Sequence, residues 1–245
     1  MATYPSITES GKTEDFNLQV SRGKIPGHSL VNIFGYNSSF SSTASVAIWE
    51  GGSSYIFPPA ASIMYLYGSA GDTATIRING LGADDSIQTE SVTLNGTSLV
   101  PTTKTFHRIN EIIVSAGSPS STVILGTSGS SLAYARINPS IGRSQMSVYS
   151  VPSGYTFYLQ RIDGFAPTQN GTTTWVSYEA RVTSPSSGIT YDVAQSDWQN
   201  YYNIRRYYPV PYLQGSDIQF KAHVQAGSGP ISLFVEGVLI SNDVG

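Results

Sequence analysis

Three histidines, His28, His107 and His223, are the first residues to test for acid–base or metal chemistry. None stands in an H-x-x-x-H or H-x-E context, so their spacing predicts no metal site. His223 shares a strand phase with Lys221 and reads as a surface or interface side chain. Carboxylates come next, because a glycoside hydrolase holds two of them across a sugar at a set separation. The candidates are Asp84 and Asp85 in LGADDS, and Asp192 with Asp197. Adjacent acids in a Gly/Ser loop read more naturally as turn residues bonded to their own backbone. They also lack the alternating D-x-D-x-D pattern of a calcium loop. Serine is abundant but no G-x-S-x-G elbow occurs, and GTSGSS at Gly126–Ser131 leads to no lysine. With no cysteine in the chain, thiolate chemistry and disulfides are excluded. No catalytic residue, cofactor or metal is predicted.

What remains is the stretch NYYNIRRYYPVPYLQGSDI, Asn200–Ile218. It sets Tyr201, Tyr202, Tyr207, Tyr208 and Tyr212 around Arg205 and Arg206. Tyr and Arg together mark interface anchors, sugar platforms or single-stranded nucleic-acid grooves. Pro209 and Pro211 forbid a central strand position and place the segment at an edge or on the surface. The alternative reading has alternate tyrosines capping a barrel end, rings inside and hydroxyls wet.

The elements that must position this stretch are strands. In DTATIRING, Ala74, Ile76 and Ile78 share one face; SIQTESVTL puts Val92 and Leu94 in phase with Gln88 and Glu90. TTTWVSYEARV aligns Val176, Tyr178, Ala180 and Val182, and SDIQFKAHV aligns Ile218, Phe220, Ala222 and Val224. PISLFVEGVLI closes the chain, with Leu233 and Val235 in phase before Gly237, Val238 and Ile240 after it, and a bulge expected at the glycine. Asn79-Gly80, Asn95-Gly96 and Asn170-Gly171 predict turns. Helical periodicity is weak; DVAQSDWQNYYNIRRY from Asp192 is the best candidate, for one or two turns. PTTKTFHRIN and PSGYTFYLQRID echo each other across the two halves.

This reading predicts an all-β chain of two β-sandwich or jelly-roll-like lobes, 46–140 and 141–245, with the boundary near INPSIGRS. An extended N-terminal arm, 1–45, precedes them, its anchors Phe16, Ile25, Phe34 and Tyr36. Charged residues make up 12% of the 245 residues against a usual ~25%, and the net charge is −3. No basic field exists to hold a phosphate backbone, so no nucleic-acid partner is expected. No run of about 18 apolar residues predicts a membrane span, and the N-terminus lacks a signal-peptide pattern, so a soluble product of the host cytoplasm is expected. A polar surface with little charge favours assembly.

The ordered series DFNLQVSRGKIPGHSLVNIFGYN at Asp15, GDTATIRINGLGADDSIQTESVTLNGT at Gly71, TFHRINEIIVSAG at Thr105, RSQMSVYSVPSGYTFYLQRID at Arg143 and FVEGVLISND at Phe234 resembles β-rich virion structural proteins of tailed bacteriophages, marine ones in particular. The resemblance implies a non-enzymatic head decoration, cement or knob-like protein whose partners are other virion proteins, the major capsid protein first. It implies a homo-oligomer, with a trimer favoured, located in the virion. A neck or tail component is the rival placement. A carbohydrate-binding module would instead use Trp49, Trp175, Trp198 or the tyrosines as a platform.

Overall fold

The computed structural model describes residues 14–41, 43–51, 54–129, 132–166, 175–185 and 187–244. Among these the chain is all-β, with one short helix, α1 (Phe16–Ser21). The strands are β1 (His28–Phe40), β2 (Val46–Ala47), β3 (Ser62–Tyr67), β4 (Thr75–Leu81), β5 (Ile87–Thr93), β6 (Val100–Phe106), β7 (Arg108–Ala116) and β8 (Val123–Gly126). They continue with β9 (Ala133–Ile137), β10 (Val148–Ser150), β11 (Tyr155–Ala166), β12 (Trp175–Thr183), β13 (Thr190–Tyr212), β14 (Asp217–Ala226) and β15 (Gly229–Ser241).

Alternation of apolar and polar residues is what makes these strands, and the predicted faces are the buried ones. Ala74, Ile76, Ile78, Val92 and Leu94 all face one core. Val176, Tyr178, Ala180, Val182, Ile218, Phe220, Ala222 and Val224 face another. The first core takes residues from Ala47 to Val148 and is enclosed by the sheets β6-β3-β8-β9 and β5-β4-β7. The second takes Ile33, Phe40, Ile48 and residues from Tyr149 to Leu239, inside the eight-stranded sheet β1-β15-β11-β13-β12-β14-β10, with β2 beside β14. That sheet nearly closes on itself: a Cβ on Gly35 of β1 would lie 2.6 Å from both the Ile48 carbonyl and Ser147 Cβ, next to β10.

Where the two cores meet, polar groups are tied off. Arg108 on β7 donates from Nε and Nη2 to both Asp217 oxygens of β14, at 2.7–3.0 Å, and from Nη1 to the Pro58 carbonyl at 2.9 Å. The Ser150 hydroxyl donates to Asp217 at 2.5 Å. Asn110 and Ser150 exchange two bonds, at 3.0 and 2.8 Å.

Four local expectations change. Asn79-Gly80 is strand interior, not a turn; a Cβ on Gly80 would lie 2.2 Å from the Arg108 carbonyl, so close strand approach is what requires glycine there. The reversal comes later, at Gly82–Ser86, where Asp85 takes φ 58°. The segment from Asp192 forms no helical turn: it is part of the 23-residue β13. The helix falls instead inside the expected arm, where Asp15 caps α1 by accepting from the Asn17 and Leu18 amides at 2.9 and 3.2 Å. Finally, β15 keeps its phase through Gly237, with Leu239 in the main core; Val238 is buried on the opposite face by Val20 and Ile25. The bulge lies across from Gly237, on β11 at Gln160. Asn95-Gly96 is a turn, with Gly96 at φ 59°, and Asn170-Gly171 lies outside the described residues.

The span expected as an arm carries α1 and then β1, which pairs with β15 from His28↔Ile240 to Phe40↔Gly229. Ile25 is buried against Val238, Phe34 pairs with Phe234 and Tyr36 with Ser232. Phe16 remains 44% exposed, its ring edge-on to His28 at 6.0 Å.

Candidate functional site: the outward turn of β13

Strand β13 joins the two halves of the large sheet. Through Gln199 it pairs with β12; from Asn200 it pairs with β11. Asn200 sits at the switch with φ 59°, a left-handed conformation that asparagine tolerates better than bulkier residues. A strand that changes partners must bend, and a bent strand lets two faces of one sheet pack on each other.

Beyond the switch, β13 and β11 pair from Asn200↔Ala166 to Arg205↔Arg161, then resume at Val210↔Leu159. Residues 206 to 209 of β13 therefore stand opposite the single residue Gln160. Three surplus residues cannot be absorbed within the pleat, so the chain turns outward. Tyr207 and Tyr208 are 89% and 82% exposed, with rings edge-on at a centroid distance of 5.1 Å. Pro209, with no N–H to offer a ladder, ends the excursion.

Alternation and the excursion together sort the seven predicted contact residues. Tyr201 faces out, its hydroxyl donating to Asp163 Oδ1 at 3.1 Å. Asp163 also pairs with Arg161 at 2.7 Å and accepts from Asn203, while Arg161 reaches Glu236 at 3.5 Å. Arg205 faces out opposite Arg161, a like-charge neighbour made tolerable by Asp163 and Glu236. Tyr202 and Tyr212 are buried in the second core: Tyr202 lies 6.0 Å from the Trp198 ring and 5.8 Å from Tyr178, and Tyr212 stacks on Phe157 at 6.0 Å. Arg206 is half-buried, with its Nε inside. The predicted set thus divides into an outer group, Tyr201, Arg205, Tyr207 and Tyr208, and an inner group, Tyr202, Arg206 and Tyr212.

Burial raises the phenol pKa values of the inner group. Tyr212 is pushed up to about 12, partly offset by the Arg206 charge. Tyr178 is driven well above its ordinary value by burial, then by the neighbouring Tyr212 and Tyr202. Tyr202 rises for the same first reason, offset by the nearby Ser196 hydroxyl, which donates to the Asp197 carbonyl rather than to the phenol, and by Arg206. All three stay protonated at neutral pH. Tyr178 lies on the inner face that its alternation predicts, and Arg206 shares the inward phase of Tyr202 and Ile204.

The acids meet different ends. Asp84 accepts from the Ser86 amide at 3.1 Å as a turn residue, and Asp85 takes a bond with His107 Nδ1 at 2.8 Å. Asp192 is paired with Arg181 at 2.9 Å, and Asp197 accepts from Ser177. Asp192 and Asp197 lie five residues apart on one strand, about 17 Å, beyond the ~5–9.5 Å that a glycosidase pair needs. Trp49 and Trp198 are buried, which removes both from any sugar platform; the Trp175 side chain lies outside the described residues. A cleft of about 380 Å³ runs between β1 and the β4/β7 strands, and one of about 260 Å³ holds the Asp85–His107 and Arg108–Asp217 pairs.

No family model and no curated protein matches the sequence. Among solved structures, the chain aligns with the structure of infectious bursal disease virus Gx strain at 11% identity, covering 89% of this chain and 73% of that one, with a TM-score of 0.28. A crystal structure of a subviral particle of the same virus aligns at 11% identity over 88% of this chain and 76% of that one, TM-score 0.20. The structure of T=1 particles derived from infectious bursal virus aligns at 11% identity over 88% and 70%, TM-score 0.21. Similarity of this size carries no argument about function.

Proposed function

We propose that the protein is a non-enzymatic structural component of a tailed-phage virion, a capsid decoration, cement or knob-like protein that assembles through the outer group on β13. The observation that carries the assembly reading is the excursion at residues 206 to 209, which presents two tyrosines almost fully to solvent beside a proline. Large amphipathic rings lose little conformational freedom when they bind, so they act as anchors where they are displayed. Arg205 precedes them as the charged member, and further along the same β11/β13 ladder Phe165 pairs with Tyr201, at 50% and 59% exposure. The resemblance of the ordered sequence motifs to tailed-phage virion proteins supplies the setting. The partners in this reading are further copies of the chain, as a trimer, and the major capsid protein.

The arm contributes through α1, where Phe16 and Leu18 are 44% and 48% exposed and free of the core. Ile25 is buried against Val238, while Phe34 and Tyr36 are half-buried on β1. Co-purification with particles tests the proposal: wild type should travel with particles at fixed stoichiometry, and a Tyr207→Ala/Tyr208→Ala variant with unchanged circular dichroism should not. Equal incorporation of the two would overturn it.

A further inference from the structure

The inner group has a property that packing does not explain. The hydroxyls of Tyr178, Tyr202 and Tyr212, the Trp198 Nε1 and the Arg206 Nε are all buried, and none has a hydrogen-bond partner among the described residues. Tyr178 is fully buried, and Trp198, Tyr202 and Tyr212 are more than nine-tenths buried. Buried polar groups are nearly always satisfied, so five orphans in one core require an occupant.

Their positions bring them together. Tyr202, Arg206 and Tyr212 project inward from the second half of β13, Trp198 from just before its switch, and Tyr178 from the adjacent strand β12. Ring centroids link Trp198 to Tyr202 at 6.0 Å and Tyr202 to Tyr178 at 5.8 Å. The Arg206 charge is felt by all three phenols. Arg206 has no acidic partner within ion-pair distance among the described residues, unlike Arg161 and Arg181 on the outer face.

The chemistry of the set is one-sided. Indole and guanidinium nitrogens only donate, and a protonated phenol offers one donor. Water would satisfy the hydrogen bonds but leave the cation uncompensated, whereas a half-buried charge is ordinarily paired. An acceptor carrying negative charge answers both needs. We infer that Arg206, Tyr178, Tyr202 and Tyr212, with Trp198 Nε1 beside them, form an internal binding site for a small inorganic anion, a halide or a compact oxyanion. Because Arg206 is the first residue of the excursion, the bound anion fastens the base of the Tyr207–Tyr208 turn to the core. The site stands independently of the assembly reading, since it lies on the opposite face of β13.

Thermal unfolding at constant ionic strength tests it, with bromide, sulfate or inorganic phosphate titrated against gluconate, which is too bulky to enter. Wild type should show a saturable rise in Tm with at least one of the small anions. Arg206→Met should abolish saturation, and Tyr178→Phe and Tyr212→Phe, which remove one oxygen each, should weaken the apparent affinity roughly tenfold, the scale of one charge-assisted hydrogen bond. Bromide-soaked crystals should show an anomalous peak among these side chains. If Arg206→Met does not fold, the two phenylalanine variants and the anomalous peak decide the matter. A response that does not saturate and is shared by wild type and the phenylalanine variants, or crystals with ordered water and no bromide at the site, would overturn the inference.

Discussion

The two cores differ in how many buried polar groups they leave open among the described residues: the first leaves the Tyr55 hydroxyl, the second leaves five atoms. In the first, Asp72 is only 4% exposed, yet it accepts from the Ser120 amide and hydroxyl at 2.8 and 2.7 Å, from the Ser69 amide and hydroxyl at 3.0 Å each, and from Ser121 at 3.4 Å. One carboxylate ties its own turn to the Ser120–Ser121 segment, with both oxygens satisfied. In the second core, three phenols, an indole and a guanidinium end without partners, and the strand that carries most of them leaves the sheet for four residues. The first core is thus nearly closed, whereas the second is open beside displayed aromatics.

The largest expected effect lies at the joint between them. The Arg108 and Asp217 side chains are only 16% and 12% exposed, and removing one partner strands the other charge inside. Asp217→Ala should destabilise by about 3 kcal/mol in urea unfolding, since breaking such a pair costs ~3–5 kcal/mol when fully buried. A loss under ~1 kcal/mol would mean that the packing of the two cores does not depend on this pair.

Next comes Asp72. Asp72→Asn should cost about 2 kcal/mol, because the charge-assisted bonds from the serine amides are the strong ones. The Ser120 amide first, then the Ser69 amide and the Ser120 hydroxyl, hold its carboxyl well below the usual range. A depressed folded pKa means that the contribution is full above the unfolded carboxyl value of ~3.9 and is lost as pH falls below it, through the folded value. Acid titration of wild type against Asp72→Asn should therefore converge at low pH. Curves that stay parallel would remove Asp72 from its role as the closing group.

The second core should fail at the other end of the scale. Its phenols have raised folded pKa values, so their contribution is full below an unfolded value of ~10 and is lost as pH climbs through the folded ones. For Tyr212 that window runs from about 10 to about 12. Tyrosinate absorbance should rise together with loss of β circular dichroism in this range, and Tyr212→Phe should move the midpoint upward. Titration of all tyrosines without unfolding would show that the inner group is wetter than its burial implies.

Strand faces were legible in the sequence wherever alternation was unbroken, as in β4, β12 and β14, because period-two burial leaves a direct trace in residue type. The Asp84 turn was legible for the same local reason. The Asn79-Gly80 turn misread a glycine whose cause is the Arg108 carbonyl from another strand, a contact with no local signature. The Tyr/Arg stretch announced itself by composition, and alternation turns Tyr202 and Arg206 inward and Tyr201 and Arg205 outward, but the outward turn of Tyr208 depends on Gln160 facing four residues. Nothing in YYNIRRYYPVPY alone encodes what its neighbour on β11 lacks.

The smallest effect on stability, and the sharpest on behaviour, belongs to the excursion itself. Tyr207→Ala/Tyr208→Ala removes rings that touch little of the fold, so stability should change by less than ~0.5 kcal/mol. Association should suffer far more, since one hot-spot ring is worth ~2 kcal/mol or more, some thirtyfold in affinity. Light scattering after size exclusion, on wild type and this variant at matched concentrations, tests the central claim most directly. The account predicts an oligomeric mass for wild type, a trimer's, and a monomer's mass for a variant with the same urea midpoint. The same mass for both proteins would contradict it, and would leave Tyr207 and Tyr208 as surface decoration on a turn.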